Sequence, residues 1–386
     1  MENSKLKLPE LEPWPEQVDG AALLDALSAL FRRHLALPAR AEQAMALWVV
    51  STHVFEVAQV SPRLALLSPL PECGKTTALS LLGRLVNKPL LASNLSPPVV
   101  YRAIERHSPT LLLDEADTYL EQSEAFRGLL NSGHTRETAF VWRCVGEDHE
   151  PQRFTTWAPM AIAKIGSLPD TLTTRSIIIP MHRKAPDEQV EKFHALRHGA
   201  AAEELARKAA RWASDHLHVL VTAAPDMPKE LTNRAADNWT PLLAIADAAG
   251  GEWPEGARLT AAVFCGWVSH VSSQEQLLAD IRGIFDQLEV DRISSAELCG
   301  KLRRIEDRLW GSVDGGFYFS PNKLAFMLRP FGIYPRSIRL GLTTPKGYLL
   351  KDFQESFARY LPQKRKTATE EEEKDLAGCY PRNEAA

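Results

Sequence analysis

The stretch LALLSPLPECGKTT, Leu64 to Thr77, decides how the rest of the chain is read. Leu64 to Leu67 are an apolar run of strand length. Ser68 to Cys73 form a loop, and Gly74, Lys75 and Thr76 open a helix that continues ALSLLGRLV. A strand, a tight loop and a helix in that order leave the first N–H groups of the helix without acceptors, and the helix dipole adds positive potential at the same point. Phosphate oxygens satisfy both. Lys75 is then positioned for the β- and γ-phosphates and the Thr76 hydroxyl for Mg²⁺, while Gly74 and Thr77 complete the candidate phosphate-binding set. The pattern departs from the usual one at Pro69, where a Gly normally begins the loop, and Pro71 stiffens it further.

A second stretch, TLLLDEAD from Thr110 to Asp117, runs four apolar residues into carboxylates, as a central parallel strand does when it delivers acids to its carboxyl end. Asp114 is the candidate for the Mg²⁺ shell, and Glu115 for the group that polarises an attacking water. The span from Lys75 to Asp114 fits one strand–helix–strand excursion plus a strand, which an acidic helix cap would not require. Between the acids and the next strand, AFVWRCVG and QRFTTW flank the polar tip EDHEP and read as a β-hairpin, whose acidic tip argues against DNA contact there. Asn131, His134 and Arg136 lie in a polar loop suited to a neighbour, a nucleic acid or solvent. Met160 to Ile165 is a further buried strand, with Lys164 near its end as a candidate γ-phosphate sensor. Ser176 to Met181 is a β-branched last core strand, with Arg175 before it and Arg183 after it. Arg175, entering that strand on the carboxyl side of the fold, is placed to reach a nucleotide held by the next subunit. The bland alternative is a salt-bridged edge residue.

Composition bounds the rest. The chain has 386 residues, enough for two or three domains, and 45% apolar content, enough for a real core. A net charge of −4 excludes a surface that attracts nucleic acid everywhere, so DNA contact must be local. The five cysteines include no C-x-x-C pair, which argues against a zinc site or a disulfide framework. No apolar run reaches membrane-span length, and the first residues hold no apolar signal core, so a cytoplasmic protein without membrane contact is expected.

Residues 1–18 are Pro- and Glu-rich and are expected to be loosely ordered. Helices are expected over Ala21–Leu35 and Ala41–Val57, with His53 packed inside the second. Residues 186–218 and Leu231–Ala249 read as helical, with Arg234 a candidate to reach back to the γ-phosphate or to pair with Asp237, and with Trp239 and Trp253 in the core. Beyond residue 272, helices over 275–289, Ser295–Glu306 and from Ser320 precede two strands, IYPRSIRLG and KGYLLKDF. Three helices and a two-stranded ribbon describe a winged helix. Arg329, Arg336, Arg339, Lys346 and Lys351, with no acid among them, fit contacts to DNA phosphates. The tail from Gln363 changes from basic to acidic without hydrophobic periodicity and is expected to be disordered.

Taken together, SPLPECGKTT, TLLLDEAD, MAIAKIG and LPDTLTTRSIIIPMHR resemble an AAA+ ATPase of the branch that includes superfamily 3 helicases. PTLLLDEADTYL, LLNSGHTR, LPDTLTTRSI, NRAADNWTPLLAIADAAGGEWP and KGYLLKDFQESFARYLP more narrowly resemble an uncharacterised family of phage- and plasmid-borne ATPases. The resemblance implies an α/β fold: an N-terminal extension (1–40), a P-loop core with a parallel sheet (41–185), a helical lid (186–272), a winged-helix-like α+β domain (273–363) and a tail (364–386). It implies ATP and Mg²⁺ as cofactors, Glu115, Lys75 and Arg175 as catalytic residues with Arg175 acting in trans, a homo-oligomeric ring of about six subunits in the family style, and DNA as partner. A replication helicase or helicase loader of a mobile element is the function it suggests. The alternative is an ATP-switched regulator that binds DNA or protein, including a phage-defence sensor.

Overall fold

The computed structural model describes residues 7–361 except 94, 117–119, 121–122, 185–187, 232, 269–272, 306–309, 311–318 and 342. The expected disordered tail lies outside the described residues. The chain divides into two compact units, Met1–Ser269 and His270–Ala386.

The first unit is built on a five-stranded parallel sheet. In chain order its strands are β1 (Arg63–Ser68), β2 (Pro89–Ala92), β3 (Thr110–Leu113), β6 (Met160–Ile165) and β7 (Ser176–Pro180), and across the sheet they lie β2-β3-β6-β1-β7. β4 (Phe140–Val145) and β5 (Glu150–Thr155) form a separate antiparallel hairpin. Strand side chains alternate between faces, and the apolar residues obey that period. Leu64 and Leu66 of β1, with Ile177 and Ile179 of β7, join a large cluster on one face. Ala65 and Ile178 join a second cluster on the other. The large cluster is covered by α1 (Gly20–His34), α2 (Ala41–His53), α3 (Lys75–Leu85), α7 (Ala195–Leu220), α8 (Asn233–Ala249) and α9 (Trp253–Val268). The second is covered by α4 (Pro97–His107) and α5 (Glu124–Ser132), while the single turn α6 (Asp170–Thr173) leads into β7.

Local chemistry sets the helix ends. Asp19 caps α1 by accepting from the Ala22 N–H at 2.8 Å, and Arg32, Arg33 and His34 complement the negative end of the helix. Pro97 opens α4, although the Ser96 hydroxyl makes no capping bond. His53 has the packing role expected of it: its Nε2 meets the Leu85 carbonyl at 2.8 Å, and burial pushes its pKa down to about 4. Trp239 and Trp253 are both buried.

Two expectations are corrected. Residues 12–15 are held against α7: the Trp14 N–H donates to the Arg207 carbonyl at 3.0 Å, and Arg211 donates to the Pro15 carbonyl at 2.6 Å. The apolar ring of Trp14 under Arg207 and Lys208 accounts for that order in a polar segment. The helix expected from residue 186 begins only at Ala195, and residues 188–194 take irregular backbone in which Glu191 bonds Arg33 at 2.6 Å.

The second unit contains α10 (Ser273–Leu288), β8 (Arg292–Ser294), α11 (Ser295–Leu302), α12 (Pro321–Leu328), β9 (Arg336–Ser337), β10 (Lys346–Leu349) and α13 (Gln354–Tyr360). Its antiparallel sheet has three strands, in the order β8-β10-β9, where two were expected. β8 was missed because only Ile293 of its three residues is apolar and buried. KGYLLKDF leaves the sheet after Leu349, since the carbonyl of Leu350 and the N–H of Phe353 close a tight turn that leads into α13.

Candidate active site at the carboxyl edge of the sheet

All five strands of the large sheet run the same way, so the residues that follow them gather along one edge. There the chain leaves β1 at Ser68, loops through Pro69–Gly74 and enters α3 at Lys75. Gly74 has φ +81°, and a Cβ there would meet nothing closer than 3.7 Å, so backbone conformation rather than space requires glycine. Glu72 adopts φ +64°, a region that L side chains rarely occupy. The Lys75 ammonium donates to the Ser68 hydroxyl, which itself donates to the Leu70 carbonyl at 2.7 Å. The lysine therefore lies along its own loop.

β3 delivers the acids to this edge. The Asp114 N–H bonds the Ala92 carbonyl of β2 at 3.0 Å, and the Ala116 N–H bonds the Ala163 carbonyl of β6 at 3.2 Å. Between them Glu115 turns at φ +50°, with its N–H bonded to Asp114 Oδ1 at 2.9 Å. The Thr76 hydroxyl faces Asp114 Oδ2 at 3.5 Å. Gly74, Lys75, Thr76, Thr77, Asp114 and Glu115 thus share one edge. Hydroxyl and carboxylate oxygens are the donor types a hard divalent cation takes.

Lys164 is on β6 opposite Leu67, buried, with its Nζ donating to the Ile165 carbonyl at 3.1 Å. Arg183 was noted in the sequence without a role. It follows β7 onto the same edge, where it donates to the Pro71 carbonyl and contacts the Glu72 carboxylate, both at 3.3 Å. The signal for it was topological: a residue just after a strand parallel to β1 emerges beside the loop that follows β1.

Arg175 and Arg234 are elsewhere. The Arg175 carbonyl accepts from the Arg63 N–H at the start of β1, so this residue marks the amino edge of the sheet and not the carboxyl side expected for it. Arg234 lines a polar cleft of about 220 Å³ together with Arg175, Asn131, His134, Thr135, Thr138 and Asp237. It lines this cleft and not the loop after β1, and among the described residues it forms no ion pair with Asp237. Behind the cleft Arg63 is wholly buried, donating to the carbonyls of Ser61, Ala158 and Leu130. Burial, then the charge of Arg175, pushes its pKa down to about 9. Gly133 admits it: a Cβ there would lie 2.7 Å from the guanidinium. Burial and then the Arg234 charge lower the pKa of Arg175.

In the second unit Arg329, Arg336, Arg339, Lys346 and Lys351 are all exposed. Arg336 is paired with Asp352 at 2.5 Å, which removes one cation from the expected patch. Exposed Phe326 and Tyr334 are further surface features of this unit. No helix among the described residues is long and apolar enough to cross a membrane.

Residues 180–360 match the family described as "Protein of unknown function (DUF3631)", a span that begins after the loop between β1 and α3 and after both acids. An "Uncharacterized 28.9 kDa protein in xis 5'region" of Saccharopolyspora erythraea is 32% identical over 186 residues, 47% of this chain and 69% of that protein. Among solved structures, the apo A form of the NrS-1 C-terminal region aligns with a TM-score of 0.39 at 10% identity, covering 89% of this chain and 79% of the other. A full-length MCM homolog from Methanopyrus kandleri aligns with a TM-score of 0.38 at 14% identity, covering 68% and 63%. Neither of these two likenesses bears on activity.

Proposed function

The chain belongs to the family of the 28.9 kDa Saccharopolyspora erythraea protein, and we propose that this member is an AAA+ P-loop ATPase that works on DNA as an oligomer. The observation that carries the proposal is the meeting of Thr76 with Asp114 at 3.5 Å, beside a lysine that lies along its own glycine-containing loop. Lys75 binds the β- and γ-phosphates by exchanging its Ser68 contact for phosphate oxygens. Thr76 and Asp114 hold Mg²⁺, which neutralises charge on the phosphates when bound. Glu115 orients the attacking water and accepts its proton. Lys164 supports the strand end beside the loop, and its carbonyl contact must break for it to sense phosphate. Arg175 serves the nucleotide of a neighbouring copy. α7 to α9 act as the lid, and the second unit, read as a winged helix, supplies the basic DNA contacts.

Turnover measured against single-stranded, duplex and forked DNA tests this function. Lys75→Ala is expected to lose ATP binding, and Glu115→Gln to bind ATP and stall. Equal turnover in wild type and Glu115→Gln would remove Glu115 from the mechanism. Unwinding of the fork supports a replication helicase, and recruitment of a separate helicase supports a loader.

One observation favours a slower, switch-like role. Glu72 places a carboxylate in the proposed phosphate loop and engages Arg183, and its charge opposes tight binding of a triphosphate and so slows turnover at limiting ATP. ATP-dependent DNA affinity without translocation would select this regulator over the motor.

A further inference from the structure

In the second unit α12 turns one side inward and presents another to solvent. Leu324, Met327 and Leu328 sink into the core of the unit. Asn322, Lys323 and Phe326 of the helix, with Arg329 directly after it, are exposed. At about 3.6 residues per turn these four share an arc of about 120° directed away from that core. Phe326 is the middle of the stripe and is 72% exposed. From Ser320 to Lys351 the chain has six cations, Lys323, Arg329, Arg336, Arg339, Lys346 and Lys351, and no Asp or Glu. An aromatic ring set among cations without an acid matches a polyanion that also offers apolar groups. Duplex DNA is such a partner, with phosphates outside and thymine methyls on the major-groove edges of its bases. We propose that α12 reads base sequence in the major groove, with Phe326 covering a thymine methyl and Asn322 paired with the edge of an adenine. This rests on the DNA-binding reading above, and it adds sequence preference to a unit whose cations alone would hold any duplex.

Dimensions and residue types agree with this. A helix with its side chains is about 10–12 Å across, and the major groove is about 12 Å wide. Asn322 and Phe326 stand one helical turn apart, about 6 Å along the axis, close to two base steps of about 3.4 Å. The amide of an asparagine donates to N7 of adenine and accepts from N6, and a phenyl ring packs on the C5 methyl of thymine. Asn322 is also in the first turn of α12, the part of a recognition helix that reaches base edges.

The β9–β10 ribbon carries the positioning contacts. Its tip is closed by two backbone bonds between Leu340 and Thr343, at 2.9 and 3.1 Å, and Arg339 and Lys346 are exposed on it. Arg336 is held by Asp352, so Arg339 and Lys346 are the ribbon cations assigned to phosphates. Phosphate contacts fix register without carrying sequence information. The helix stripe and the ribbon therefore have separable effects: the first sets which sequence is preferred, the second how tightly any duplex is held.

Selection of duplexes from a random pool by the full chain, at about 0.15 M salt, tests the assignment. A consensus containing A·T pairs is expected, bound about tenfold or more tighter than a scrambled duplex of the same composition. Phe326→Ala is expected to lower that ratio by about fivefold or more, and Asn322→Ala to erase the preference at the adenine. Both side chains are exposed, so neither replacement removes core packing. Uracil in place of the consensus thymine removes only the methyl; it should weaken binding by wild type several-fold and have no effect on Phe326→Ala. Lys346→Ala is expected to weaken consensus and scrambled duplex by the same factor. Absence of a consensus, with ordinary binding to scrambled duplex, would overturn base reading and leave the DNA-binding reading standing. A loss in Phe326→Ala confined to single-stranded DNA would overturn it as well, since the ring would then be stacking on unpaired bases. If the full chain binds neither duplex nor single strand, the DNA-binding reading itself is wrong, and base reading falls with it.

Discussion

The two edges of one parallel sheet carry different chemistry. At the carboxyl edge, Lys75 and Arg183 stand among Asp114, Glu115 and Glu72, so cations and carboxylates offset each other around a loop. At the amino edge, Arg175, Arg234 and His134 line a cleft in which Asp237 is the one carboxylate among the described residues. A charge-balanced edge accommodates both a phosphate and its metal. A cationic edge suits an anion more than a metal ion. The two edges of one copy therefore carry groups of different charge at opposite ends of the same strands.

The largest effect expected separates the edges. Lys75→Ala abolishes ATP binding, whereas Arg175→Ala leaves binding intact and lowers turnover by about 10³- to 10⁵-fold, as measured for removal of an arginine that completes a phosphoryl-transfer site. Equal loss of binding in both, in a filter or calorimetric assay, would erase the distinction.

Next is Arg63→Met. The substitution strips donors from three buried carbonyls and is expected to cost about 3–5 kcal/mol in chemical denaturation. A cost under about 1 kcal/mol would show that the amino edge does not depend on this buried charge.

Acid then acts on the amino edge through His134. Its pKa is pushed down to about 4, first by burial, from about 6.5 in an unfolded chain. Below about 6.5 the unfolded state takes up a proton that the folded state refuses, so stability is full above that pH and falls by up to about 3 kcal/mol as pH approaches 4. His134→Gln should flatten that part of the profile of Tm against pH, and an unchanged profile would sever His134 from it.

The smallest effect concerns the carboxyl edge. Glu72→Gly removes both a positive-φ side chain and a carboxylate from the loop, so a gain of about 0.5–1 kcal/mol and several-fold tighter ATP binding are expected. Gly74→Ala should move stability the other way by about 1 kcal/mol, since φ +81° is left strained. The same sign for both would mean that loop conformation is not the controlling variable.

Much of the carboxyl edge was legible in advance. LALLSPLPECGKTT and TLLLDEAD carry their chemistry within single stretches, and a strand that ends in an acid declares where the acid points once the sheet is parallel. The amino edge was not legible in this way. Arg175 was identified but assigned the wrong side, and Arg234 was assigned to its own nucleotide, because spacing along the chain does not reveal which end of a strand a helix from 60 residues later will meet. His134 read as an exposed polar loop residue, yet it is buried because Asn238 supplies its partner. β8 and the docking of Trp14 escaped for a related reason: each is held by one contact with a distant element and leaves no period in the sequence.

The sequence by itself determined the parallel α/β core, the loop between β1 and α3, the acids that end β3 and the hairpin, because these follow from local periodicity and from residue types that only certain backbone positions accept. Tertiary structure alone decided that Arg175, Arg234 and His134 line one cleft with buried Asn238 bonded to His134, that Arg183 reaches the loop after β1, and that Asp352 neutralises Arg336. The physical reason is that charge and hydrogen-bond partnerships act over a few ångströms in space, whatever the separation along the chain.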